Sequence, residues 1–220
     1  MTDQAAARLR YTRGAIFLHW AIAILILYNL ISGLLHDVLP RAFFQFHVSS
    51  GITILVLTVI RIGWRLTHKP PPFLPMAGWE KGLAHVVHFL LYCMMLISPL
   101  TGWAMLSAHV DRPPVQAVPL GPGDVPPPPR KPRPTMVWGL FELPKLAPIT
   151  NIANQPDGVA KLKETHELYE GRHEIAGWIF LSLLILHLCG ALKHQFIDKE
   201  RELARMGLGK PGAAHWDPAV

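Results

Sequence analysis

Four histidines, His19, His47, His173 and His187, lie within or at the ends of strongly apolar stretches of this 220-residue chain, and imidazole is a side chain able to hold a metal there. The stretch Arg172–Gln195, RHEIAGWIFLSLLILHLCGALKHQ, places His173, His187 and His194 at intervals of 14 and 7 residues. Whole heptads keep the three rings within roughly 40° of one helix face. His173 and His187 are then about 21 Å apart along the axis. No charged side chain occurs from 175 to 192, so with its flanks the segment is long enough to cross a bilayer. An ionisable group inside such a segment is costly and implies a role. Two imidazoles stacked two heptads apart would each hold one metal centre, near opposite faces of the membrane.

The elements that must carry these residues are four long apolar runs, 15–35, 48–66, 83–106 and 175–192. Each reads as a spanning helix, because backbone exposed to lipid must satisfy its own hydrogen bonds. The expected fold class is an all-α membrane protein, a four-transmembrane-helix bundle. The net charge is +6, but the basic residues gather at helix ends, where they orient spans, so nucleic acid is excluded as a partner and membrane lipid is expected. Cys93 and Cys189 lie inside spans and make neither a disulfide framework nor a thiolate metal site. The first run is too long and evenly apolar for a signal peptide.

Positive charge assigns the sides. Residues 1–14 form a basic cytoplasmic lead, and residues 15–107 carry helices one to three. The second connection, with Lys69 and Lys81, belongs to the same side as the lead. Residues 108–172 form a periplasmic loop, 173–195 the fourth helix and 196–220 a cytoplasmic tail, so both termini are cytoplasmic. Within the loop, Pro113–Pro134 is too rich in proline for helix or sheet. Thr135–Leu146, TMVWGLFELPKL, suits a segment lying on the membrane surface or capping the bundle. Residues 157–172 read as a helix leading into the fourth span. Pro99 and Gly102 are expected to kink the third helix.

Depth then sorts the histidines into an outer pair, His47 with His173, and an inner pair, His19 with His187. Two pairs about 21 Å apart, with no thiolate and few intramembrane carboxylates, fit two bis-histidine haems better than compact zinc sites. Small residues Ser49, Ser50, Gly51 and Gly190 would let a flat macrocycle approach the helices. Arg61 and Arg65 could pair with haem propionates, or serve only as positive-inside anchors. His36, His68 and His109 read as interfacial residues and His166 as a surface residue. His85, His88 and His194 have no partner in the ligand scheme, and His88 and His194 are offered as residues of an inner-side quinone site.

With these residues in view the chain resembles the prokaryotic cytochrome b561 family of four-helix di-haem membrane cytochromes. The resemblance rests on LHW at 18–20, HVSSGITILVLTVIRIGWRLTHKPPP at 47–72, LAHVVH at 83–88, PLTGWAMLSA at 99–108, and HEIAGW through LHLCGALKHQFID at 173–198. It implies haem-ligand histidines at His19, His47, His173 and His187, two haem b cofactors and a place in the bacterial inner membrane. Its nearest functional likeness is to a superoxide oxidase, which takes electrons from superoxide and passes them to ubiquinone. Other members relay electrons between a soluble partner and quinone, so a cytochrome b subunit serving a periplasmic redox protein is the alternative. Two features depart from the family pattern: the long proline-rich loop, and Gln195 where relatives often carry a second histidine. A basic entrance for superoxide would draw on Arg112, Arg130, Lys131, Arg133, Lys145, Lys161 and Lys163, although nearby acids leave the loop only slightly positive. A structural membrane protein with incidental histidines would bind no haem.

Overall fold

The computed structural model describes residues 10–72, 76–109, 134–200 and 202–209. Most of the proline-rich stretch, together with Arg112, Arg130, Lys131 and Arg133, falls outside them. Four long helices organise the rest: α1 Arg13–Leu34, α2 Arg41–Thr67, α3 Gly78–Ala108 and α4 Gly158–Leu192. All four are long and apolar enough to cross a membrane. Large apolar side chains such as Phe17, Ile24 and Phe89 face outwards at 70 %, 66 % and 67 % exposure, as a lipid-facing surface requires.

Local chemistry explains the boundaries. The Thr12 hydroxyl accepts the Ala15 N–H and starts α1. Glu80 reaches back to the Ala77 N–H at the start of α3. Pro40 stands immediately before α2, and the His68-Lys69-Pro70 sequence ends that helix. Gly158 opens α4 at a point where a Cβ would collide with the carbonyls of Ile152 and Ala153, so the turn excludes larger residues.

Two helices extend beyond their apolar runs. α2 begins at Arg41, so His47 lies in its second turn rather than at its first residue. The leading helix and the fourth span form one uninterrupted helix, which places His173 near the middle of α4. Hydropathy marks the lipid-immersed part of a helix, and the helix itself runs on into water wherever its backbone stays bonded. α4 then passes into a π-helical turn, Lys193–Ile197.

The helices form a ring in sequence order, with close α1–α2, α2–α3 and α3–α4 packing and a sparse α1–α4 seam. Ile22, Ile26, Ile54, Met94, Met95, Ala176 and Phe180 build the central core. Phe180 stands one heptad from both His173 and His187, so the two histidine levels are separated by an apolar layer. At the His47–His173 end a small antiparallel hairpin, β1 Met136–Val137 with β2 Phe141–Glu142, caps the bundle. Val137 and Leu143 pack there against Val48, Ile52, Trp103 and Leu106. The hairpin turn holds Trp138 at φ 53°, a strained position for a bulky residue. Its backbone N–H donates to Ser49 Oγ and its indole N–H to Thr53 Oγ1, both at 2.9 Å, which fixes the turn on α2.

Candidate functional site

α2 and α4 bring His47 and His173 together with ring centroids 6.1 Å apart and planes at 82°. α1 and α4 do the same for His19 and His187 at 6.4 Å and 69°, across the sparse seam. A metal bonded to one nitrogen of each ring at about 2.0–2.1 Å, with the rings on opposite sides, separates the centroids by about 6 Å. Both pairs match that spacing. Among the described residues no group of three or more His, Cys, Asp or Glu converges on an ion site.

The outer pair has its orienting contacts in place. Ser32 Oγ donates to the Asn29 carbonyl at 3.2 Å, and His47 Nδ1 lies 3.0 Å from Ser32 Oγ. With the hydroxyl proton already directed at Asn29, His47 Nδ1 is the donor and Nε2 keeps its lone pair. His173 Nδ1 donates to the Ser98 carbonyl at 3.0 Å, which leaves Nε2 free in the same way. Glycine makes room for both rings. A Cβ at Gly33 would stand 3.3 Å from His47 Cε1, and one at Gly102 would stand 3.1 Å from His173 Cε1.

The inner pair is arranged differently. The Arg61 guanidinium donates to Tyr92 Oη at 2.9 Å and to the Ala15 carbonyl at 3.2 Å, and its Nη2 lies 3.3 Å from His19 Nδ1. A guanidinium can only donate, so His19 accepts at Nδ1 and carries its proton on Nε2. Arg61 thus clamps α1, α2 and α3 together. Arg65 makes no hydrogen bond or ion pair with any described residue and is exposed. One turn before Arg61, the fully buried Thr58 hydroxyl is, among the described residues, the buried side-chain polar atom without a partner. The acidic edge of a bound group would satisfy such an atom.

Sequence reasoning missed the surroundings of His88. Its Nδ1 donates to the Ala84 carbonyl at 2.6 Å, and its ring lies 5.1 Å from that of His187, closer than His19 does. His85 bonds the Lys81 carbonyl and is exposed. His194 belongs to a polar cluster at the end of α4. Lys193 Nζ bridges Glu80 and Asp198 at 2.7 Å each, and His194 Nδ1 meets the same Asp198 oxygen at 2.7 Å. Donation from Lys193 holds the Asp198 carboxyl below its ordinary value, against partial desolvation, and His194 adds to the effect. Gln195, in place of a second histidine, accepts the Leu203 N–H and so fastens the following turn.

The small residues of α2 have protein partners. Ser49 donates to the Gln45 carbonyl while receiving Trp138, and Ser50 donates to Phe46 while receiving Asn29. They join helices and hairpin rather than leave a gap, because in an apolar interior a hydroxyl finds the nearest carbonyl. Near Gly190 lies open space.

The prokaryotic cytochrome b561 family model matches residues 10–209. The chain belongs to the prokaryotic cytochrome b561 family. It is 28 % identical over 167 residues to "Cytochrome b561 homolog 2" of Escherichia coli K12, covering 76 % of this chain and 70 % of that relative. It is 33 % identical over 102 residues to the "Probable superoxide oxidase CybB" of Yersinia pestis, 44 % of this chain and 58 % of that one. "Cytochrome b562" of Cereibacter sphaeroides is 36 % identical over 107 residues, 42 % of this chain and 63 % of the relative. As a b561 cytochrome with four membrane-length helices, the chain is a multi-pass electron-transport protein of the bacterial inner membrane, and its family binds haem b. Two imidazole pairs of suitable spacing, with glycine clearance and oriented rings in the outer one, fit that cofactor.

Proposed function

We propose that this b561 cytochrome carries two b haems, held by His47 with His173 and by His19 with His187, and moves single electrons from superoxide to ubiquinone. The observation that carries the reading is the two imidazole couples at 6.1 and 6.4 Å, set two heptads apart along α4. Bound haem b supplies a centre that takes up and releases one electron at a time. The rest is work for the chain. Ser32 and Ser98 hold the outer imidazoles in the tautomer that offers Nε2. The Phe180 layer keeps water from the space between the two levels. Ligation through Nε2 of His19 requires Arg61 to turn away from Nδ1, which frees the guanidinium for a propionate; Arg65 stands one turn further along α2 for the same use.

On the outer side each superoxide gives up one electron and becomes dioxygen. On the inner side ubiquinone takes two electrons and two protons and becomes the quinol. The protons would come through the His194–Asp198 cluster, with His88 beside His187 as the second polar group facing the quinone. This direction has both termini in the cytoplasm and the hairpin in the periplasm. The likeness to a probable superoxide oxidase supports superoxide as donor.

A second reading, a relay subunit serving a periplasmic redox protein, draws on the hairpin tip. Leu140 and Phe141 are 79 % and 51 % exposed there, an apolar surface that a partner could cover.

The test is a reduced-minus-oxidised spectrum with a pyridine haemochrome count on purified parent, His187→Ala and His88→Ala. Two haems in the parent, one in the first variant and two in the second are expected. Loss of a haem from His88→Ala with none lost from His19→Ala would reassign the inner pair. Superoxide should then reduce the parent rapidly, and a protein lacking residues 113–134 should keep most of that turnover. No reduction by superoxide would leave the relay.

A further inference from the structure

A groove lies outside the histidine levels, at the start of α1. The C-terminal segment folds back onto this end of the helix. The Tyr11 N–H donates to the Arg205 carbonyl, the Trp20 indole donates to the Met206 carbonyl at 2.8 Å, and the Arg205 guanidinium lies 5.7 Å from the Tyr11 ring centroid. Gly207, at φ 88°, lies so close to α1 that a Cβ would stand 3.1 Å from Ile16 Cγ2. Between this segment and α1 the groove has a volume of about 760 Å³.

The chemistry of the groove changes along its length. Arg10 and Arg13 line it at one end, and Phe17, Ala21 and Ile24 line it further along α1. Among the described residues neither arginine has a hydrogen bond or an ion pair, and none of those lining the groove is acidic. Arg205 nearby differs, being bonded to Glu202 at 3.1 and 3.2 Å. From Arg13 to Ile24 is about 16 Å along the helix, roughly half the thickness of a bilayer's hydrocarbon core. The groove therefore matches an amphiphile with an anionic head and an acyl chain one leaflet deep.

We infer that this groove binds one anionic phospholipid of the leaflet that α1 enters, its phosphate between Arg10 and Arg13 and one acyl chain along Phe17, Ala21 and Ile24. A quinone head is neutral and gives no reason for two guanidiniums that have no partner among the described residues. A zwitterionic lipid carries its own cation beside the phosphate and gains less there. The tail has a part in the site, because Gly207 lines it opposite α1.

Native mass spectrometry of the haem-loaded protein in mixed micelles tests this, with phosphatidylglycerol and phosphatidylcholine as probes. One phosphatidylglycerol per chain should survive detergent stripping, with about 10- to 30-fold preference over phosphatidylcholine, the worth of two basic residues at a membrane surface. The double variant Arg10→Gln/Arg13→Gln should lose that preference at an unchanged haem count. Ala21→Trp, which fills the floor and leaves both charges, should lose retention of the lipid. Equal retention of both lipids, or phosphatidylglycerol retention unaltered by Ala21→Trp, would overturn the assignment and leave annular lipid only. Displacement of phosphatidylglycerol by ubiquinone would also overturn it. If the arginine variant fails to insert, Ala21→Trp decides alone.

Discussion

Ser32 carries a single hydroxyl proton, and because it goes to the Asn29 carbonyl the oxygen is left to receive His47. One small side chain on α1 thereby selects which nitrogen of an imidazole on α2 is free. Removing the partner behind a metal-ligating histidine typically weakens metal retention by about 10- to 100-fold. Ser32→Ala should therefore release the outer haem that much more readily in a haem-transfer assay to apomyoglobin, with the inner haem unchanged. Equal loss from both levels would mean that Ser32 acts through general stability. Arg61 shows the same dependence on partners at the inner level. Its type and depth suggest a propionate partner, whereas the fold gives it Tyr92, Ala15 and His19.

Helices α3 and α4 meet closely where Gly102 faces His173. The expected role of Gly102 was to kink α3 with Pro99; its observed role is to leave room for an imidazole on the neighbouring helix. Gly102→Leu should push the His173 ring aside, giving a protein that keeps one haem of two and a circular dichroism spectrum close to the parent's. Retention of both haems would show that the ring has slack. Trp64 makes a similar demand at the start of α1, where a Cβ on Gly14 would lie 2.6 Å from its ring, and its indole N–H donates to Thr12. Helix-to-helix approach in this bundle depends on single glycines at defined depths.

At the scale of the molecule, the outer hairpin and the C-terminal segment sit at opposite ends of the bundle. Single cysteines placed at Leu140 and at Leu208, in a chain with Cys93 and Cys189 replaced by serine, should label from opposite sides of sealed inner-membrane vesicles. A membrane-impermeant maleimide reaching Leu140→Cys from the periplasm and Leu208→Cys only from the cytoplasm is the expected result. Labelling of both from one side would refute the topology and the direction of electron flow built on it.

The four spans, the two histidine levels and the family were legible in the amino-acid sequence alone. These follow from local quantities: hydropathy over about 20 residues, and heptad spacing along one helix. His47, His173, His19 and His187 could be paired by depth because depth is a one-dimensional coordinate of a spanning helix. Their lateral neighbours could not. That His88 lies against His187, that Ser49 and Ser50 bond the hairpin and Asn29, and that the tail returns to α1 are settled by rotations of helices about their axes and by chain reversals beyond the membrane. Those rotations come from interhelical packing and hydrogen bonds among residues up to 186 positions apart, and no periodicity within a single helix records them.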